Sequence, residues 1–237
     1  MKRFNKQLRG VAALMAMASF YTHAADSVDI KVVGTISPTA CTPSIAGGGT
    51  LDFGTIKTDS LDATGYTALT TQESALTITC IAPTLVGVKA IDGRPNSIAG
   101  VSASSLAGGA AAPAALNWNG YNVVGLGQQD GTTAIGGYSL YVKGGNATAD
   151  NATVDVIVSE DAGHNTWSKP ATLNLYGTGS TPRVLTVAAT GTTSPLAFSN
   201  MTVNLGVQAY INEKAELDTS KAISLNGMTT IELDYLP

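Results

Sequence analysis

The sequence predicts an all-β protein with the architecture of an antiparallel β-sandwich. The composition is dominated by Thr, Val, Gly, Ala and Ser, and only 13% of the residues are charged. Short alternating or apolar runs recur between turn signals, and no segment has a capped helical stripe. Runs of this kind, spread over about 210 residues once a leader is removed, are typical of a single sandwich domain.

Residues 1–24 have the organisation of a secretory signal peptide. Four basic residues precede an apolar run from Val11 to Phe20, and Thr22-His23-Ala24 provides small residues before the expected cleavage point. The apolar run is too short for a membrane anchor, so we expect an exported mature chain without membrane insertion. Cleavage leaves nine basic residues against 17 acidic ones, a formal charge of −8. This acidity argues against nucleic acid and anionic membranes as partners.

Residues 25–36 form an alternating strand at the start of the mature chain. Its in-phase positions are Val28, Ile30, Val32, Gly34 and Ile36, of which only the glycine lacks a side chain. Period-two alternation places these residues on one face. A half-apolar strand at this position needs a sheet to complete, either its own or that of a neighbouring molecule.

The mature chain has two cysteines, Cys41 and Cys80. Export to an oxidising compartment favours a disulfide between them. The spacing is not that of a CxxC motif, and His164 is the only mature histidine, so a zinc site lacks ligands. We therefore expect one disulfide, no metal and no cofactor.

Further strand candidates follow along the chain between glycine-rich and Asn-Gly or Asp-Gly turns. They are Leu51–Ile56, Ala75–Ile81, Leu85–Ile91, Tyr138–Val142, Val154–Val158, Thr172–Tyr176, Val184–Ala188, Met201–Ile211 and Met228–Leu236. Asn226-Gly227 is interpreted as a hairpin turn or a bulged strand entry. The stretch Ile98–Ala115, almost entirely small and apolar, is interpreted as a loop or a weak strand.

The last predicted strand also alternates. Ile231, Leu233 and Tyr235 share one face, while Glu232 and Asp234 share the other. Such a terminal strand either closes its own sheet or is available for capture by another protein.

The sequence lacks the usual residues of a catalytic site. The segment around His164 is polar and glycine-flanked, which predicts a solvated loop histidine and not a triad member. The pairs Glu160 with Asp161 and Glu213 with Glu216 are interpreted as exposed surface acids. No glycine loop has the pattern of a nucleotide-binding site. We therefore expect a protein that is not an enzyme.

The residues resemble the pilin subunits of chaperone-usher fimbriae of Gram-negative bacteria. The matching features are the donor-like segment 30–36, Cys41 seven residues after Gly34, Cys80 at a strand end, the segments Leu51–Ile56 and Gln208–Ile211, and a tyrosine close to the C-terminus. More narrowly, residues 34–43, residues 77–84 and Asp92-Gly-Arg resemble a proteobacterial family of unknown function suspected to be fimbrial. The middle of the chain, about 93–180, is unmatched and longer than in ordinary pilins.

The resemblance implies an incomplete immunoglobulin-like, pilin-type sandwich in residues 37–237, with residues 25–36 as a donor-strand extension. A periplasmic chaperone would fill the incomplete fold first, and at the outer-membrane usher the extension of a neighbouring pilin subunit would replace it. The chain would then be exported through the periplasm to a fimbria on the cell surface. The physical basis is β-strand addition.

Two further expectations follow from the resemblance. In related pilins the in-phase glycine faces a crowded groove floor, so we expect Gly34→Val or Gly34→Asn to slow or block strand exchange. Ile231, Leu233 and Tyr235 would pair with the chaperone, whose basic cleft would hold the carboxylate of Pro237. The sequence departs from the usual pattern here, because two residues follow its tyrosine.

A different class of function remains open. The chain could be a self-contained secreted sandwich, such as a carbohydrate-binding module, with Val28–Ile36 as its own first strand. The enlarged middle could carry a ligand-binding loop in which Trp118, Tyr121, Trp167 or Tyr176 stacks on a ligand, although aromatic residues in a sandwich are more often core.

Overall fold

Short strands and four one-turn 3-10 helices make up the regular structure of residues 40–101, 108–177 and 182–237, the part of the chain that the computed structural model describes. The strands are β1 (Cys41–Ile45), β2 (Thr67–Ala68), β3 (Gln72–Thr84), β4 (Val86–Asp92), β5 (Ala110–Ala111), β6 (Asn122–Gly125), β7 (Gln128–Gln129), β8 (Thr133–Ala134), β9 (Gly136–Ala149), β10 (Ala152–Ser159), β11 (Val184–Ala188), β12 (Phe198–Ile211) and β13 (Thr229–Tyr235). The 3-10 helices are Ala46–Gly49, Thr58–Ser60, Ala114–Leu116 and Lys214–Glu216. No helix in these residues has the length and apolar character needed to cross a membrane.

The main sheet is antiparallel and follows the order β1-β3-β12-β9-β10-β11-β4-β13. The short strands β2 and β6 are added beside β12 and β9, β5 pairs with β6, and β7 with β8 forms a separate two-stranded ribbon. The sheet folds over so that its two end strands approach each other: the backbone N–H of Cys41 in β1 donates to the hydroxyl of Tyr235 in β13 (2.9 Å). The predicted all-β sandwich is therefore confirmed, in the form of one nearly closed sheet.

The main core lies between the two halves of the folded sheet. Every second side chain of β3, β9 and β12 points into the core and faces the inward side chains of β10, β11 and β4. Members with almost no exposed surface include Leu76, Ile78, Val86, Val124, Leu175 and Val187. Burial of such side chains is the main force that holds a sandwich together.

Part of the enlarged middle covers the outer face of the sheet at one end of β12. In β12, Ala209 and Ile211 belong to the main core, while Tyr210 between them points to a second cluster. Tyr210 is fully buried there, with Ile98 and Val123 from the enlarged middle. Both faces of β12 are therefore buried at this end, where Ala209, Tyr210 and Ile211 are consecutive apolar residues.

The disulfide between Cys41 and Cys80 is confirmed. The two cysteines stand directly opposite each other in the β1–β3 ladder. Because β3 is the one strand that pairs with β1 among the described residues, the disulfide fastens an edge strand to the sheet.

Two of the predicted strands are not strands of the sheet. Leu51–Ile56 alternates in burial, but Gly54 adopts a positive φ of 67° and its N–H binds the side chain of Asp52, which interrupts the extended run. Thr172–Tyr176 makes only a brief contact with the edge of β9, through Leu175 N–H to Leu140 O (2.9 Å) and Val142 N–H to Leu173 O (2.8 Å). The remaining strand candidates beyond residue 40 coincide with β3, β4 and β9 to β13, with ends that differ by a few residues.

Candidate functional site

A long apolar groove runs between the two ends of the folded sheet. Among the described residues, β1 pairs with β3 and β13 pairs with β4, so the edges of β1 and β13 that face each other belong to no common ladder. We call the depression between them the edge groove. One section has a volume of about 190 Å³ and the adjoining section about 550 Å³.

The two walls of the edge groove come from segments far apart in the sequence. The first wall is formed by half-buried residues of β1 and of the irregular segment after it: Ile45, Leu51, Phe53, Ile56 and Leu61. The second wall is formed by the segment that leads into β13 and by β13 itself: Ile223, Leu225, Gly227, Thr229 and Ile231. The second wall takes every second position from Ile223 to Ile231, as one face of a strand does.

The floor of the edge groove is the main core. Leu205 and Val207 of β12 and Leu140 of β9 line one section, and Ile135 and Ile211 line the other. All five are buried to more than nine-tenths. An occupant of the groove would therefore touch the apolar core directly. Polar side chains such as Asp52, Lys221 and Ser224 also line the second section.

A small polar cluster lies at the β13 end of the floor. The hydroxyl of Thr229 is hydrogen bonded to the hydroxyls of Tyr138 (2.6 Å) and Tyr176 (2.8 Å). Burial raises the pKa of Tyr138 to about 12, and it also raises the pKa of Tyr176. Both tyrosines are therefore neutral at physiological pH, and they hold the first residue of β13 in place.

The predicted C-terminal strand lies along the edge groove. Ile231 and Leu233 are half-buried and pack on the main core, and Glu232 points outward to Lys89 (3.4 Å). Tyr235 lies at the rim, half-exposed, with its hydroxyl at the start of β1. Pro237 lies beyond the strand, in a separate depression on the outer surface.

The predicted N-terminal strand falls outside the described residues. This applies to the predicted leader 1–24, to the extension 25–36 and to its positions Val28, Ile30, Val32, Gly34 and Ile36. Their assignment stays a sequence prediction.

The prediction of a solvated His164 is wrong. Its side chain is only 15% exposed, and its Nε2 lies 3.5 Å from a carboxylate oxygen of Asp234 in β13. The imidazole also lies beside the indole of Trp167, with ring centroids 6.0 Å apart. The loop after β10 folds back over the outer face of the sheet, and no local sequence pattern encodes that approach.

Two of the four carboxylates from the sequence analysis, Glu160 and Asp161, have structural partners. Glu160 accepts hydrogen bonds from the guanidinium of Arg183, including one from Nε (2.9 Å). Asp161 accepts the backbone N–H groups of Gly163 (2.9 Å) and Asn165 (2.8 Å), which lower its pKa. In the part of the chain that is described, no three His, Cys, Asp or Glu side chains come together as metal ligands would.

The four candidate stacking aromatics differ in surroundings. Tyr176 is fully buried and belongs to the polar cluster. Trp118 packs edge-on against Tyr210, and Tyr121 packs edge-on against Tyr141. Trp167 is half-buried and lines two surface depressions. Trp167 is therefore the candidate for which a surface depression lies beside the ring.

Sequence reasoning missed the segment before β13 as part of the site. Ile223 and Leu225 precede Ile231 and Leu233 at the same two-residue spacing, with Gly227 at one of the positions between them. A hairpin or bulge at Asn226-Gly227, as the sequence predicts, would have broken this phase. Asn226 is instead tied to the neighbouring elements by its N–H to Leu126 O (2.9 Å) and by Arg94.

Comparisons with known proteins match almost the whole chain. Residues 30–139 match the model of a family described as "Protein of unknown function (DUF1120)". Protein GltF of Escherichia coli K12 is 31% identical over 252 aligned positions, which cover 98% of this chain and 99% of that protein. The chain belongs to this family. Uncharacterized protein YhcF of the same organism is 30% identical, with 97% of this chain and all of that protein covered.

The family match begins within the predicted N-terminal strand and includes β1, the first wall of the edge groove and β3. The predicted membership of a proteobacterial family of unknown function is thereby confirmed. The names of the two relatives state no fimbrial role.

Proposed function

We propose that this protein is a structural subunit of a surface fimbria, assembled by donor-strand exchange in the chaperone-usher pathway. The observation that carries the proposal is the edge groove. It lies between two strand edges with no common ladder, and it opens onto the core. A strand inserted there would complete the sheet and the core together.

The proposed occupant is residues 25–36 of a neighbouring subunit. An apolar groove accepts one face of a strand, and Val28, Ile30, Val32 and Ile36 share one face. Burial of these four side chains would contribute on the order of 6 to 12 kcal/mol before ordering costs. Backbone hydrogen bonds would add adhesion, and the alternate side chains would set the register.

In the periplasm a chaperone would occupy the edge groove first. A chaperone strand would pair with the edge of β13 that faces away from β4, beside Ile231, Leu233 and Tyr235. Its basic cleft would hold the carboxylate of Pro237. The usher would then exchange this strand for the extension of the next subunit. The protein would thus be exported through the periplasm and act at the cell surface in adhesion, without catalysis.

A mixing experiment separates this proposal from a self-contained binding module. One variant lacks residues 25–36 and keeps its groove, and a second is the full chain with Ile231→Asp, which places a charge inside the groove. Neither variant should assemble alone, because the first lacks the donor strand and the second has a blocked groove. Mixed together in equal amounts, they should form a one-to-one complex that native mass spectrometry detects.

The matched control is Thr230→Asp in the full chain, because Thr230 is the exposed neighbour of Ile231. It should assemble as the wild type does. Two results together would contradict the proposal and favour a self-contained domain. The deletion variant would unfold, and the wild-type protein would remain monomeric with or without a chaperone.

A further inference from the structure

The connection between β10 and β11 spans residues 160–183, and connections of this length in compact domains are usually either functional or linker segments. Its first part, residues 160–168, is held by internal hydrogen bonds. Asp161 holds the backbone N–H groups of Gly163 and Asn165. Ser168 exchanges backbone hydrogen bonds with Val158 (2.8 and 2.9 Å). The first part of the loop therefore has a fixed shape before any ligand binds, which lowers the ordering cost of binding.

Trp167 forms a ridge between two depressions at this surface. Its Nε1–H donates to the carbonyl of His164 (2.9 Å), which fixes the edge of the indole. The larger depression has a volume of about 600 Å³ and the smaller about 380 Å³, and both are lined by Thr166 and Trp167. The larger volume lies within the range of about 300–1,000 Å³ that small-ligand sites occupy.

The chemistry around the indole suits a neutral, hydroxyl-rich ligand. Asn165, Thr166, Thr193 and Ser194 surround the larger depression with amide and hydroxyl groups, while Ser168 lines the smaller. Such groups can both donate and accept hydrogen bonds. A flat indole beside them can stack on the C–H face of a sugar ring, an arrangement that combines an apolar body with polar edges.

The charge at this surface disfavours acidic ligands. Glu160 and Asp161 line the smaller depression, and neither Lys nor Arg lines either one. The nearby cations are engaged elsewhere: Arg183 with Glu160, and Lys169 with Asp155 (2.6 Å). A sialylated or phosphorylated ligand would therefore meet repulsion without a compensating cation.

We propose that the Trp167 loop binds a neutral oligosaccharide, with the indole as stacking platform and Asn165, Thr166 and Ser194 as hydrogen-bonding groups. The loop reaches β13 through His164 and Asp234, on the face opposite to Leu233. The proposed sugar site and the edge groove therefore lie on different faces of β13. Sugar binding does not depend on the proposed fimbrial role and would be compatible with a filled groove.

Intrinsic fluorescence gives a direct test, because the chain has two tryptophans and Trp118→Phe leaves Trp167 as the single indole reporter. The full-length variant is titrated with neutral hexasaccharides of glucose, mannose, galactose and N-acetylglucosamine, each up to about 10 mM. A saturable change in emission is expected with at least one of them. An acidic sialyl-oligosaccharide is expected to give none.

Isothermal titration calorimetry then identifies the groups that bind the sugar. It uses the neutral sugar that gave a response and variants that retain Trp118. Trp167→Ala should weaken binding about tenfold or more. Thr166→Ala with Ser194→Ala, which keeps the indole, should weaken it several-fold. Thr230→Ala, on the same outer face of β13 but outside both depressions, is the control and should bind as the wild type does. No saturable response to any of the four neutral sugars would overturn the proposal. Unchanged affinity in Trp167→Ala, or preferred binding of the acidic sugar, would overturn it as well.

Discussion

At the scale of single residues, the contacts of a few polar side chains decide how the end of the fold is held. Thr229 begins β13, and its hydroxyl is bonded to the hydroxyls of two buried tyrosines. Buried hydroxyl groups are costly when they lack partners. His164 acts similarly at the other end of β13, where it approaches Asp234. Both residues anchor the strand that forms a wall of the edge groove.

Thr229→Val should therefore destabilise the protein, although it preserves the volume of the side chain. The change leaves the hydroxyls of Tyr138 and Tyr176 without the threonine hydroxyl, and we expect the free energy of unfolding to fall by about 2 kcal/mol. Urea denaturation followed by circular dichroism measures this. Thr230→Val, at the exposed neighbouring position, should change the stability by less than about 0.5 kcal/mol. Equal effects of the two substitutions would show that the polar cluster contributes nothing.

At the scale of elements, β1 and β13 are the two edges of the folded sheet. An edge strand has ladder bonds on one side only, so its attachment depends on additional contacts. β13 has a seven-residue ladder with β4, whereas β1 pairs over five residues with β3 and carries the disulfide. The two strands therefore differ in what fixes them to the sheet.

Removal of the disulfide should affect β1 more than any other strand. In the chain-entropy model, a bond that closes a loop of about 40 residues contributes about 4 kcal/mol. We expect the double variant Cys41→Ala, Cys80→Ala to lose about that much stability. Hydrogen exchange should show loss of protection in β1 while β9 and β12 remain protected. Uniform loss of protection in all strands would contradict the inference that the disulfide mainly holds β1 on the sheet.

At the scale of the whole molecule, the fold brings together the beginning and the end of the described chain. Cys41 and Tyr235, 194 residues apart in the sequence, are joined by a hydrogen bond across the mouth of the edge groove. One part of the enlarged middle covers the outer face of β12 at Tyr210, while Ile135 and Leu140 from the same region line the groove floor. Within the described residues, the fold thus places a largely apolar groove between its two edge strands.

If residues 25–36 occupy the edge groove of a neighbour, the side chain at position 34 should control assembly. Gly34→Val adds an isopropyl group to the strand face that would enter the groove, and overpacking of this kind costs about 1–3 kcal/mol. We expect about a tenfold or greater decrease in the rate of strand exchange, measured by native gel or mass spectrometry. Thr35→Val lies on the other strand face and serves as the control. Normal assembly of Gly34→Val would rule out a tight fit at this position.

The local sequence pattern was sufficient to predict many of the strands. The run Val184–Ala188 is β11 itself, and the alternation of Ile231 and Leu233 is the core-facing side of β13. The expectation of export and the cysteine count were enough to predict the pairing of Cys41 with Cys80. Prediction failed at Leu51–Ile56, because Gly54 with its positive φ cannot be recognised from an apolar alternation.

The sequence alone determined the all-β class and the apolar phase of the strands, because these depend on neighbours within a few residues. It also determined the disulfide, because the chain has only two cysteines to pair. Only the tertiary structure decided that Ile45 and Leu51 face Leu225 and Ile231 across a groove, that the middle covers Tyr210, and that His164 reaches Asp234. These approaches depend on non-local strand pairing and on the folding over of the sheet. Period-two alternation fixes which face of a strand is apolar, but not which distant segment that face meets.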